Sequence, residues 1–250
     1  MNPNESNLIS TVENLVKEVA SIKSNTINRY LDNASKDIIK QIVTESLFDI
    51  FWQKLTHFIT FFESLDGYDV NVSGGGAAAV GAASLQIDTA ATNGNVAEVL
   101  KTPDAQGLLS FGFRSSFRTT ASVSTSGGSL ANTTAYYCIG EVGNENYGFK
   151  WASGNLLGFT STGGTETTKT LVTTFGNATL YNLEARFFPT NRVDFYVNGT
   201  LKATSTSNLP TTANFALVHM KITAGENNGK TLLTSFFEYI QERNLTNFNY

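Results

Sequence analysis

The stretch that decides the fold is Asn191-Arg192-Val193-Asp194-Phe195-Tyr196-Val197-Asn198-Gly199-Thr200-Leu201-Lys202-Ala203. Val193, Phe195 and Val197 alternate with Arg192, Asp194 and Tyr196, the period-two pattern of a strand buried on one face. Asn198-Gly199 follows, a dipeptide suited to the two positive-φ positions of a type I′ turn. A strand over Thr200–Ser205 resumes the extended pattern, so the segment predicts an antiparallel hairpin.

Runs of the same kind surround it. Further strands are expected at Ala83–Thr89, Phe111–Arg114, Phe117–Ser124, Thr134–Glu141, Tyr147–Ala152 and Leu156–Ser161. Others are expected at Lys169–Thr174, Tyr181–Phe188, Ala216–Ala224 and Thr231–Gln241. Gly and Asn clusters separate them, as at Ser126-Gly127-Gly128, Ser153-Gly154-Asn155 and Thr162-Gly163-Gly164. Ten or so short strands at this spacing favour a β-sandwich over a small barrel.

The composition changes sharply near residue 67. Residues 1–66 hold one proline, Pro3, and no glycine, whereas all 21 glycines lie in 67–250. The expected organisation is therefore a helical segment over 1–66 and a sandwich over 67–250. Leu8, Val12, Leu15, Val19 and Ile22 follow a 4-3-4-3 spacing. That is a short coiled-coil seam or the apolar stripe of a helix packed on a neighbour. A second helix, capped by Asn33 or Ser35, would carry Phe48, Phe51, Trp52, Phe58 and Phe62 and end at Asp66-Gly67. Its apolar residues surround the helix, so it must be buried on several sides, within its own chain or against other copies. The fold class is thus mainly β, an antiparallel sandwich preceded by an N-terminal α-helical segment.

Charge and cysteine content exclude several functions. Lys and Arg total 17 against 21 Asp and Glu, a net charge of −4 that argues against nucleic acid as partner. The single cysteine, Cys138, excludes an internal disulfide framework and a Cys-based zinc site. Met1 to Ser10 shows no secretory signal, and Leu47–Phe62 is too short and too polar to insert in a membrane.

The run Tyr136–Gln241 resembles the concanavalin A-like lectin/glucanase superfamily, in its laminin-G-like branch. The likeness rests on Asn146-Tyr147-Gly148-Phe149-Lys150-Trp151, on Tyr181-Asn182-Leu183-Glu184-Ala185-Arg186, on the 191–201 hairpin, and on Leu209-Pro210-Thr211 with Phe215-Ala216-Leu217. It implies a jelly roll of two antiparallel sheets, one concave. A helical start before a Ser/Thr/Asn-rich sandwich is also similar in style to bacteriophage head-fibre and tail-associated structural proteins.

The family includes glycosidases, whose retaining members need two carboxylates about 5 Å apart. Glu141 and Glu145 have a suitable spacing, but Gly143 stands where an aspartate belongs, and a turn at Asn144 and Asn146 should point Glu145 to solvent. No catalytic residue is assigned. His57 and His219 lie in no recognisable motif, and Gly74-Gly75-Gly76 lacks the lysine of a phosphate loop. The aspartates are scattered; Asp88 and Asp104 are the places for the family's calcium, and no metal or cofactor is assigned. Sugar binding on such a sandwich uses exposed aromatics, for which Tyr136, Tyr147, Trp151 and Tyr196 are the candidates.

The expected function is that of a non-enzymatic virion structural protein on the particle surface. Leu8, Val12, Leu15, Val19, Ile22 and the Phe48–Phe62 aromatics would oligomerise the chain as a trimer and join it to other virion proteins. The jelly-roll head would adhere to host glycans. The alternatives are a free carbohydrate-binding lectin and a degenerate glycoside hydrolase.

Overall fold

The computed structural model describes residues 55–60, 64–65, 68–81, 84–101, 111–211 and 218–242. By its contacts the chain divides into Met1–Trp52 and Gln53–Tyr250, and all described residues belong to the second unit. The predicted seam at Leu8, Val12, Leu15, Val19 and Ile22 lies outside the described residues, as do Phe48, Phe51, Trp52 and Phe62.

Fifteen strands are described: β1 Leu55–Thr60, β2 Asp69–Val72, β3 Ala77–Gly81, β4 Ser84–Asp88, β5 Val96–Lys101, β6 Ser115–Thr125, β7 Thr133–Gly140, β8 Asn146–Ala152, β9 Asn155–Thr162, β10 Thr165–Val172, β11 Tyr181–Phe188, β12 Arg192–Val197, β13 Thr200–Ser205, β14 Val218–Ala224 and β15 Lys230–Glu242. They form two antiparallel sheets. One runs β13-β12-β11-β6-β15-β4-β3, with β1 also paired to β15; the other runs β10-β9-β8-β7-β14-β5-β2. This is the sandwich that the strand spacing predicts. The β12–β13 hairpin turns through Asn198 and Gly199 at φ of 50° and 77°, as expected of the Asn-Gly pair.

The largest departure is β1. Leu55–Thr60 is expected as helix, yet it pairs antiparallel with the second half of β15, Leu55 opposite Glu242 and Thr60 opposite Phe237. The expected boundary at 66/67 therefore falls inside the sandwich unit. A segment apolar in every direction is ambiguous by periodicity. The free edge of β15 beyond its pairing with β4 settles it, and the β-branched Thr56, Ile59 and Thr60 suit a strand. Phe58, assigned to the helix, therefore lies on β1. Phe111 also departs from expectation: it lies in the turn before β6, with its ring buried in the core.

Alternation along β6 and β11 places Phe117, Ala121, Leu183, Ala185 and Phe187 inward. The two sheets meet through aromatic rings. Phe117 packs edge-on against Phe149 at 5.6 Å and against Tyr137 at 6.2 Å, and Tyr147 stacks on Phe187 at 5.1 Å. Burying rings of this size supplies most of the drive that closes the sandwich. Two hydroxyl pairs lie within it. The Thr160 hydroxyl lies 2.9 Å from that of Ser205 on the facing sheet, and Ser115 bonds the Tyr147 hydroxyl at 2.9 Å.

The fully buried Lys230 is held like a cation in an oxygen cage. Its Nζ donates to Thr125 Oγ1 and the Ser129 carbonyl, each at 3.0 Å, and to Glu226 Oε1 at 2.5 Å. Glu226 in turn accepts from the Ser129 N–H and Asn132 Nδ2, tying the β6–β7 loop to the β14–β15 turn.

Candidate binding face

The outward residues of β12, β11, β6 and β15 form rows across the eight-stranded sheet. In one row, Tyr196, Glu184, Arg118 and Glu238 stand side by side on consecutive strands. In the next stand Asp194, Arg186, Ser116 and Ile240, and beyond it Arg192 opposite Phe188. Each residue is outward because its neighbours Phe117, Leu183, Ala185, Phe187, Val193 and Phe195 are core.

These side chains engage one another along and between the rows. Arg118 Nε donates to Glu238 Oε2 at 2.6 Å, and Arg186 Nε to Glu184 Oε1 at 2.6 Å. Arg192 Nε lies 3.0 Å from Asp194 Oδ2, whose other oxygen accepts from Thr204. The Arg186 guanidinium lies over the Tyr196 ring at 4.4 Å, and that of Arg192 over Phe188 at 4.2 Å. The hydrogen bond and charge of Glu184 raise the Arg186 pKa further, so that cation is permanent.

On the other side of the first row, towards Asn182, lies an open groove of about 450 Å³, lined by Arg118, Asn182, Glu184, Gly199, Phe236 and Glu238. Phe236 reaches it because β15 is irregular between Thr234 and Phe237. Adjacent residues of a regular strand point to opposite faces, so Phe237 fills the core while Phe236 turns to the groove.

The carboxylates of this face are held apart and are paired. Glu184 and Glu238 lie on either side of β6, about 10 Å apart in backbone position at two strand spacings. Each is already committed to an arginine. Glu145 is not turned to solvent as expected: its oxygens accept from the Gly163 and Thr211 N–H groups at 2.9 and 2.7 Å, so it ties loops together. Asp88 accepts from Gln86 at 2.6 Å and from Thr231, and Asp104 lies outside the described residues.

The four predicted sugar-binding aromatics do not form one platform. Tyr147 and Trp151 are fully buried, because the inward register of β8 runs through Tyr147, Phe149 and Trp151. Burial also holds the Tyr147 phenol well above its usual pKa. Neither can meet a ligand. Tyr136 lies on the outer face of the seven-stranded sheet, its ring 4.8 Å from Lys150 Nζ and edge-on to Phe159 at 5.4 Å. Tyr196 alone belongs to the face described above. The strand alternation carries a signal for Glu184 and Arg186, each between two inward apolar residues, and for Arg118, between the inward Phe117 and Thr119. Phe236 had a signal in the doubled Phe236-Phe237.

The outer side of the seven-stranded sheet holds a second polar cluster. His219 Nδ1 accepts the Val142 N–H at 3.0 Å, and its Nε2 lies 2.6 Å from Glu98 Oε1. The proton therefore resides on Nε2. Burial pushes the His219 pKa down, while His219 and Lys221 together overcome burial to hold Glu98 below its ordinary value. Cys138 faces His219 across the β7–β14 pair, but it is fully buried and desolvation pushes its thiol up. Both ring nitrogens are thus occupied, and the thiol is held towards its protonated form.

No family model matches the sequence, and no curated protein matches it either. Solved structures do share the fold. A protein of unknown function from Shewanella oneidensis is 14% identical, with a TM-score of 0.53 over 78% of this chain and 89% of that one. The Crh5 transglycosylase in complex with NAG is 13% identical, with a TM-score of 0.54 over 75% and 84%. An endo-β-1,4-glucuronan lyase from the fungus Trichoderma reesei is 8% identical, with a TM-score of 0.54 over 75% and 95%. These likenesses define a jelly-roll β-sandwich consistent with the concanavalin A-like fold.

Proposed function

We propose that this protein is a non-enzymatic glycan-binding module that takes its ligand on the outer face of the eight-stranded sheet. The observation that carries the proposal is the open groove between Arg118, Asn182, Glu184 and Glu238, with Phe236 in its wall and Tyr196 in the same row as Glu184. Paired hydroxyls of a sugar match guanidinium, amide and carboxylate groups, and its C–H face matches an aromatic ring. Two proteins of similar fold carry glycan-acting names, the transglycosylase and the glucuronan lyase, which makes saccharides the first ligands to try.

A glycan array with the full chain, followed by calorimetry on the best ligand, tests this. Tyr196→Ala and Arg118→Ala should each weaken binding at least about tenfold, the loss expected for one charge-assisted hydrogen bond or stacked ring. Binding unchanged in both variants would sink the proposal. Turnover of β-glucans that Glu184→Gln abolishes would make the protein an enzyme instead.

The finer reading is that the module is the exposed head of a virion structural protein, with the residues before the sandwich serving trimeric assembly. The glycine-free composition of 1–66 and the separate unit Met1–Trp52 support a distinct role for that segment. Light scattering on the full chain should give about 81 kDa, three times the 27.1 kDa chain mass. A mass of one chain would contradict it.

A further inference from the structure

Beside the main groove, on the same face, lies a second groove of about 240 Å³ lined by Arg114, Ser116, Arg186, Phe188 and Ile240. Its charge is not balanced. Arg118, Arg186 and Arg192 are matched by Glu238, Glu184 and Asp194, whereas Arg114 pairs with no carboxylate among the described residues. Arg114 is exposed, and its guanidinium sits 5.7 Å from the Phe188 ring centroid. Of the four arginines in and beside these rows, Arg114 is therefore the one without a paired carboxylate among the described residues.

From this geometry we infer that the second groove receives the carboxylate of an acidic saccharide, a uronic or sialic acid residue. This rests on the glycan-binding reading and specifies its ligand class. The planar Arg114 fork matches a carboxylate through two parallel hydrogen bonds. Phe188 and Ile240 supply an apolar wall for the C–H face of the ring, and Ser116 supplies a hydroxyl. Arg192 also lies over the Phe188 ring, at 4.2 Å, which helps hold that wall in place before ligand arrives. The neutral part of the saccharide continues into the main groove, across the row that holds Glu184 and Arg118.

The test uses glucuronic acid-, galacturonic acid- and sialic acid-containing oligosaccharides, each beside its carboxyl-reduced counterpart, titrated into the full chain. Wild type should bind at least one acidic form roughly ten- to a hundredfold tighter than its reduced form, the range for a charge-assisted hydrogen bond. Arg114→Gln should bring that ratio close to one, weakening the acidic form far more than the reduced form. Arg114→Lys should restore only part of it, because the fork is lost. Arg114 is exposed, so neither variant should unfold the protein, and an unchanged thermal midpoint checks this. Equal binding of acidic and reduced forms, or a ratio untouched by Arg114→Gln, overturns the inference and leaves the glycan reading standing. Binding of neither form, with an empty glycan array, overturns both.

Discussion

Alanine at position 158 should place a methyl group where the two sheets leave no room for it. Gly158 lies on β9, and a Cβ built there falls 2.6 Å from Cδ2 and Cγ of Phe195 on the facing sheet. Phe195 cannot swing aside, because it is fully buried and packs edge-on against Phe149 at 5.8 Å. The backbone at 158 is outside the left-handed region, so alanine meets no backbone strain. At an unobstructed strand position the exchange would stabilise by about 0.5–1 kcal/mol. Overpacking a filled core costs about 1–3 kcal/mol. The net expectation is a loss of up to about 2 kcal/mol. Phe195→Leu is destabilising alone but vacates the space the methyl needs. The double variant should therefore lose less than the sum of the singles, by about 1 kcal/mol or more. Urea unfolding of the four proteins, read as midpoint shifts at constant slope, measures the cycle. Stabilisation by Gly158→Ala, or additivity within about 0.5 kcal/mol, would refute the packing of β9 on β12.

Acid should weaken the fold partly through Glu226, whose pKa is lowered to about 2 by its hydrogen bond from Lys230 and then by that from Asn132. A depressed folded-state pKa contributes stability that is present above the unfolded value near 4.5 and is lost as pH falls towards 2. Glu226→Gln should flatten the stability profile in that window, and an unchanged slope would contradict the Lys230 cage. His219 should appear by nitrogen NMR as the neutral Nε2–H form at pH 7 and titrate below 6.5; protonated Nδ1 would contradict the Val142 contact. Because the folded state resists that proton, His219 should also lower stability as pH drops below 6.5. Cys138 should resist thiol reagents until the chain is unfolded, and rapid labelling of native protein would show the site to be open. Tyr147→Phe removes the hydrogen bond to Ser115 and should cost about 1 kcal/mol without changing glycan affinity. A selective loss of binding would return Tyr147 to the ligand site.

The strands most legible in the sequence are those whose alternation is set by one buried face. Tyr181–Phe188, Arg192–Val197 and Thr200–Ser205 appear with the expected ends. β5, Val96-Ala97-Glu98-Val99-Leu100-Lys101, went unread because it mixes helix formers and is held by pairing with β14. β3, Ala77-Ala78-Ala79-Val80-Gly81, has almost no strand propensity and is an edge strand held by β4. β1 was misread for a related reason: its pairing partner lies some 180 residues away in the chain.

The binding face was legible only in part. The sequence marks Tyr147 and Trp151 as aromatics but not which face of β8 turns inward. That parity depends on the opposite sheet, where Phe187 and Phe117 meet Tyr147. Arg118, Glu184 and Arg186 had the right alternation, but their convergence depends on the register of three strands.

Backbone amide shifts, recorded while titrating the best array ligand into the full chain, test the central claim most directly. The account predicts that the largest changes fall on Arg118, Asn182, Glu184, Tyr196 and Glu238. Changes centred on Tyr136, Lys150 and Glu166 of the seven-stranded sheet would contradict it.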